Sequence, residues 1–187
     1  MKRGRLFILS GPSGVGKGTV RARLFQKIPN LVYSVSCTTR PPREGETEGI
    51  QYRFLDAETF RNLAQDGRFL EWASVHGHLY GTLLDDVERQ LEKGNSVVLE
   101  IDVQGALQVK ERVPESVMIF ILPPSFQELE KRLASRGTEA KEEFETRLRN
   151  ASSEIALSKR YDYAVVNDQV ERAASELAEI IKKEMNR

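Results

Sequence analysis

The chain has one cysteine, no apolar run longer than about six residues and no surplus of either charge across its 187 residues. A lone cysteine, Cys37, cannot close an internal disulfide, which points to a reducing compartment and a cytoplasmic protein. Its small side chain suits a packed core position better than a reactive one. A bilayer-crossing helix needs roughly 18–20 apolar residues, so no membrane span is expected. The start, MKRGRLFILSGPSG, is basic but too short in its apolar run for a secretory signal. Lys plus Arg total 28 and Asp plus Glu total 28. That balance excludes the broad basic field that draws a protein onto nucleic acid. Histidine is scarce too: His76 and His78 form an H-x-H pair without a third ligand, which reads as strand rather than metal site.

What is present is a core-forming composition, 40% hydrophobic and 30% charged, in an alternating strand–helix rhythm. Residues 5–10 (RLFILS), 31–36, 96–101, 117–122 and 161–166 predict strands of a parallel sheet. Helices are predicted at 17–27, 103–111, 125–135, 141–158 and 169–185. The last carries an apolar stripe at Ala173, Ala174, Leu177, Ile180 and Ile181. Between about 37 and 83 the rhythm breaks into a proline- and glycine-punctuated segment, with strand-like pieces at 51–55, 69–73 and 75–80 and a helix near 57–66. The fold class is α/β with a mixed insertion.

Residues 11–19 read GPSGVGKGT, after a buried strand and before a helix. Gly11, Gly16 and Lys17 match G-x-x-x-x-G-K, a pattern expected by chance roughly 0.06 times in a chain of this length at average residue usage. Glycines let backbone N–H groups converge on phosphate oxygens, the helix N-terminus adds partial positive charge, and the lysine reaches the terminal phosphates. The residue after the lysine is Gly18 rather than the usual hydroxyl residue, with Thr19 following. A magnesium ion would then be held mainly by nucleotide oxygens and water, near the carboxylates Glu100 and Asp102 that end the strand VVLEIDVQG. The competing reading is that Asp102 caps the helix that starts near Val103.

The set GPSGVGKGT, SVSCTTRPPREGE, GIQYRF, EWASVHGHLYGT, LEIDVQG, RLASRGTE and VVND, in order across residues 4–185, resembles the guanylate kinase family. The resemblance implies a three-layer P-loop core (about 1–35, 84–130 and 158–187) within a single domain, a GMP-binding region (about 36–83) and a small helical lid (about 131–157). It implies the reaction ATP + GMP ⇌ ADP + GDP of purine nucleotide metabolism, with Mg²⁺ as cofactor. ATP and GMP, with dGMP beside them, would be the ligands, and neither nucleic acid nor membrane would be a partner. The G-K-G-T spelling also occurs in adenylate kinases and some guanylate kinases.

By the same resemblance, ATP would lie on Gly11, Pro12, Ser13, Gly14, Val15, Gly16, Lys17, Gly18 and Thr19, with Arg132, Arg136 and Asn167 around the adenine and phosphates. Arg40, Arg43, Tyr52 and Tyr80 would hold the GMP phosphate, while Ser36, Glu71, Thr82 and Asp102 would read the base. Lys17, Arg40, Arg136 and Arg147 would be the catalytic cations. Thr82 keeps the hydroxyl where many members have Ser, and Glu100 keeps the carboxylate where some have Asp.

These residue types suit the chemistry. Planar guanidinium groups grip phosphate oxygens bidentately. Guanine presents N1–H and N2–H₂ as adjacent donors that one carboxylate can accept, a pair that adenine lacks. The nucleophile, a phosphate oxygen with a second pKa of about 6, is already ionised near neutrality and needs no general base. Two other readings compete: a P-loop kinase for another phosphate acceptor, and a non-catalytic scaffold that binds phosphopeptides through the GMP site. Scaffolds of that kind have typically lost the loop lysine and glycines that this chain keeps.

Overall fold

The computed structural model describes residues 2–75, 77–134 and 141–187, with side chains undescribed at 141–143. In chain order the elements are β1 (Leu6–Ser10), α1 (Lys17–Lys27), β2 (Val32–Tyr33), β3 (Cys37–Thr38), β4 (Arg53–Phe54) and α2 (Ala57–Gln65). Then come β5 (Phe69–Val75), β6 (His78–Leu83), α3 (Leu84–Glu92), β7 (Val97–Glu100) and α4 (Val103–Arg112). The chain ends with β8 (Val117–Leu122), α5 (Phe126–Ala134), α6 (Lys141–Ala156), a 3-10 turn (Leu157–Arg160), β9 (Tyr163–Val166) and α7 (Val170–Met185).

Every side chain of β1 is buried, as a strand covered on both faces requires. A five-stranded sheet has the order β2-β7-β1-β8-β9, and the pairs β2/β7, β1/β8 and β8/β9 run parallel. A four-stranded sheet has the order β4-β3-β6-β5, with β5/β6 and β3/β6 antiparallel and β3/β4 parallel. The chain is therefore α/β with a mixed insertion. The backbone falls into two compact units, residues 1–6, 31–99 and 104–116 in one and 7–30, 100–103 and 117–187 in the other.

In the first unit Phe60 of α2 stacks on Phe69 of β5 with ring centres 4.5 Å apart, and Cys37 completes a small core beneath them. Asp56 caps α2 by accepting the Thr59 N–H at 2.8 Å. In the second unit α7 buries Ala173, Ala174, Leu177, Ala178 and Ile181, close to the stripe read from the sequence, while Ile180 is half-buried. Among the described residues no helix is long and apolar enough to cross a membrane.

Several boundaries differ from the sequence expectation for physical reasons. The strand expected at 31–36 is regular only at Val32–Tyr33, because as an edge strand it has only β7 to pair with. The piece at 51–55 shrinks to Arg53–Phe54 because its neighbour β3 is only two residues long. The strand expected from 161 starts at Tyr163, where Asp162 clamps the sheet edge: its carboxylate accepts the Met118 N–H at 2.8 Å and its own N–H donates to the Met118 carbonyl at 3.0 Å. Helix α3 was not anticipated. Its Val87 and Leu91, four apart and buried, carry the periodic signal, and Asp85 and Asp86 suit its first turn.

Candidate active site

In the second unit, β1 delivers the chain into the loop 11–16, and α1 begins at Lys17. Gly16 has φ 92°, in the left-handed region, and a Cβ built there would lie 2.7 Å from Asn167 Nδ2. A Cβ on Gly11 would meet the Ile121 carbonyl at 2.5 Å. These glycines are needed for close approach. Asn167, which is 3% exposed, donates from Nδ2 to the Val15 carbonyl at 2.7 Å and so pins the loop crest from the β9 side. Arg132 donates to the Asn167 carbonyl from both terminal nitrogens at 3.4 Å. Gly14, Gly16, Thr19, Arg132, Asn167, Asp168 and Val170 line a cavity of about 260 Å³. The sequence-derived ATP residues Gly14, Gly16, Thr19, Arg132 and Asn167 thus share one hollow.

Lys17 Nζ donates to the carbonyls of Gly11 and Pro12, folding the lysine over its own loop. Arg147, on α6, donates to Ser13 Oγ at 3.0 Å and brings a second cation to the loop. Gly18 has open space around its Cα, and Thr19 is exposed. Glu100 ends β7 with Oε2 3.0 Å from Arg21 Nη1. Asp102 is half-buried between β7 and α4.

Two residues not picked out from the sequence belong here. Burial pushes the Glu154 carboxyl above its ordinary range; Lys17 opposes the shift and Asp102 adds to it. Burial also pushes the Tyr161 phenol up to about 12, with the Ser10 hydroxyl working against the rise. The signal for Glu154 was the stripe Arg147, Ala151 and Glu154 at i, i+4 and i+7, with Ala151 fully buried. Arg136, expected as a lid cation, and His76 of the H-x-H pair lie outside the described residues.

In the first unit Ser36, Thr38, Arg40, Glu71 and Thr82 are buried polar residues on or beside the four-stranded sheet. Glu71 and Thr82 are directly opposed on β5 and β6, and Thr82 Oγ1 donates to Glu71 Oε1 at 2.6 Å. A register shift between Phe69 and Glu71 frees two carbonyls, and Arg112 on α4 donates to both, Phe69 at 2.9 Å and Leu70 at 2.7 Å. Gln108 pairs with the Trp72 backbone through both groups of its amide. Glu71 is therefore fixed from both sides along its own strand. Arg112 and Gln108 left no mark in the sequence, since they act by long-range contact with backbone.

Arg40 packs its guanidinium 5.3 Å from the Tyr52 ring centre and 5.9 Å from that of Phe54. Tyr52 meets Tyr80 edge-on with centres 5.8 Å apart. Glu46 binds both terminal nitrogens of Arg40 at 2.9 Å and also accepts the Arg43 backbone N–H at 2.8 Å. That pairing raises the Arg40 pKa above its ordinary value and lowers that of Glu46. The Arg43 side chain is exposed. Ser36 lies just before β3 and holds the Arg53 N–H with its carbonyl at 2.9 Å. Among the described residues no group of three or more His, Cys, Asp and Glu side chains forms a metal cage.

A glycine loop between a buried strand and a helix, in a chain that also buries a carboxylate–hydroxyl pair and an arginine on an inserted sheet, defines a P-loop nucleoside monophosphate kinase class. Comparison with known proteins sharpens this. The guanylate kinase family model matches residues 3–184, and the chain belongs to the guanylate kinase family. It is 51% identical over 185 residues to a guanylate kinase from Thermus thermophilus, covering 99% of this chain and 84% of that protein. It is 52% identical over 183 residues to a guanylate kinase from Oceanobacillus iheyensis, covering 98% and 89%. The crystal structure of guanylate kinase from Anaplasma phagocytophilum aligns with a TM-score of 0.84 at 36% identity, covering all of this chain and 89% of that one.

Proposed function

We propose that this chain transfers the γ-phosphoryl group of ATP to GMP, giving ADP and GDP, through the residues described above. The observation that carries the guanine part of this reading is the buried Glu71 carboxylate, 3% exposed, held by Thr82. A buried carboxylate matches the adjacent donors N1–H and N2–H₂ of guanine, a pair that adenine lacks. Ser36, in the same unit as Glu71 and Thr82, belongs to the base site. Arg40, Arg43, Tyr52 and Tyr80 take the GMP phosphate.

ATP takes the loop 11–19, with Asn167 and Arg132 lining the adenine hollow; Arg136, the other arginine assigned to ATP, lies outside the described residues. Lys17 leaves the Gly11 and Pro12 carbonyls to meet the phosphates, whose charge offers it a stronger bond. Arg147, already at Ser13, stabilises charge on the group in transfer. No general base is required, because the GMP phosphate oxygen is ionised near neutrality. Catalysis is then positioning and charge stabilisation of an in-line transfer.

The donor set suits a hydrated Mg²⁺: Gly18 supplies no hydroxyl, Glu100 is engaged by Arg21, and Lys17 and Asp102 both act on the Glu154 carboxyl. Bound there, Mg²⁺ would neutralise charge on the ATP phosphates, with Asp102 holding its water. The core, GMP-binding and lid regions are assigned to residues 1–35, 84–130 and 158–187, to 36–83 and to 131–157. The ligands are small nucleotides, dGMP included, rather than nucleic acid or membrane, and the protein is cytoplasmic; zero net charge and one buried cysteine support this.

The test is ADP formation from ATP and Mg²⁺ with and without GMP. Rapid turnover that depends on GMP is expected. Folded protein that makes no ADP with any monophosphate would instead be a binding module.

A further inference from the structure

Strand β5 lies at the edge of the four-stranded sheet and carries one residue more than its partner β6. Phe69 pairs with Leu83 and Glu71 with Thr82, so Leu70 is the extra residue of a β-bulge. The bulge reverses which face the following side chains take. Phe69 and Trp72, three positions apart, both meet the Phe60 ring, with centres 4.5 and 6.4 Å away, which a strand of period two does not allow. Gly81, opposite Trp72, lies toward the same rings: a Cβ there would come within 2.9 Å of Phe69 Cδ1 and 3.1 Å of Phe60 Cζ. Glu71 and Thr82, one position along on each strand, therefore share the opposite face, away from the aromatic core. Without the extra residue, Glu71 would fall in phase with Phe69 and point at that core.

The bulge is held from outside the sheet. Phe69 and Leu70 are each 2% exposed, and carbonyls in so buried a stretch need donors. Arg112, the last residue of α4, donates from Nη1 to both, at 2.9 and 2.7 Å. Gln108, one turn earlier on the same helix, pairs with the N–H and the carbonyl of Trp72. The residues on either side of Glu71 are thus tied to α4, while Glu71 itself is bonded to Thr82.

We propose that Arg112 is a positioning residue for guanine selectivity: it locks the Leu70 bulge, and the bulge sets the face from which Glu71 reads the base. This rests on the assignment of Glu71 to guanine. The alternative is that Arg112 only ties α4 to the sheet and supports the fold. The geometry favours positioning, because both bonds fall on the two residues immediately before Glu71. Bonds from a charged donor are strong enough to keep a bulge in one shape.

The test is kcat/KM for GMP and for IMP, which lacks the 2-amino group, at saturating ATP and Mg²⁺. The proteins are wild type, Arg112→Met, Arg112→Lys, Glu71→Gln and the double variant Arg112→Met with Glu71→Gln. Arg112 is exposed, so both replacements leave the core packing untouched. Arg112→Met keeps the stem and removes the donors. It should lower the GMP-to-IMP ratio about 5- to 20-fold, through KM for GMP, with kcat within about threefold. Arg112→Lys, which keeps a donor, should fall between it and wild type. In the Glu71→Gln background Arg112→Met should cost less than about twofold further. Equal losses for GMP and IMP would mean that Arg112 only supports the fold, and would overturn the inference. Independent losses that multiply in the double variant would overturn it too, because Arg112 would then act apart from Glu71. A wild-type protein that turns over GMP and IMP equally would overturn the guanine reading of Glu71, and the inference with it.

Discussion

The Thr82 hydroxyl and the Glu71 carboxylate face each other across β5 and β6, and the hydroxyl donates to the carboxylate at 2.6 Å. The Thr82 proton is thereby committed to the buried Glu71 carboxylate. Thr82 is thus bonded to Glu71 across the two strands.

Replacing Glu71 by Gln keeps the shape but turns one acceptor into a donor. A charge-assisted hydrogen bond is worth about 1.5–3 kcal/mol, so kcat/KM for GMP should fall about 10- to 150-fold or more. The KM for ATP should hold. Steady-state kinetics with each substrate varied in turn will show it, and an unchanged GMP rate would remove Glu71 from base reading.

Arg147→Ala removes a loop-facing cation while leaving the four-stranded sheet untouched. Loss of one transition-state donor typically costs about 10²–10³ in kcat. GMP affinity, measured by titration, should stay within twofold. A kcat within twofold of wild type would make the Arg147–Ser13 bond purely structural.

Gly16 and Gly18 should respond differently to alanine. At Gly16 the left-handed backbone and the approach of Asn167 make Gly16→Ala lose about 1–3 kcal/mol, several degrees in Tm for a chain of this length. Gly18 lies in the first turn of α1 with open space around it, so Gly18→Ala should be neutral or gain up to about 1 kcal/mol. Thermal unfolding of the two variants side by side decides it.

Cys37 is buried to 1% exposure, and burial pushes its thiol up to about 11. At about pH 8 the native protein should not react with a chromogenic disulfide reagent, because the thiolate is scarce and sealed. In concentrated guanidinium one thiol per chain should appear. Fast reaction of the native protein would show that the β3 core opens readily.

The phosphate loop was legible in the sequence because its chemistry is local: the glycines, the lysine and the helix start lie within nine residues. Buried runs such as VMIFIL at β8 were legible for the same reason. The two-residue strands β2 and β4 were overextended because a strand ends where its partner ends, which no short window contains. Glu71 and Thr82 were readable as residues, but their bond depends on the register of β5 and β6 and on the shift that Arg112 caps. Glu154 and Tyr161 escaped for a related reason, since only the folded chain brings α6 and the 3-10 turn near Lys17 and Ser10.

The most direct measurement is kcat/KM for GMP, IMP and AMP at saturating ATP and Mg²⁺. IMP keeps N1–H but lacks the 2-amino group, so a carboxylate that reads both guanine donors should prefer GMP to IMP by about 10- to 150-fold. AMP, which offers no donor pair to Glu71, should fall roughly 10⁴-fold or more below GMP. Equal rates with GMP and IMP, or rapid turnover of AMP, would contradict guanine recognition by Glu71.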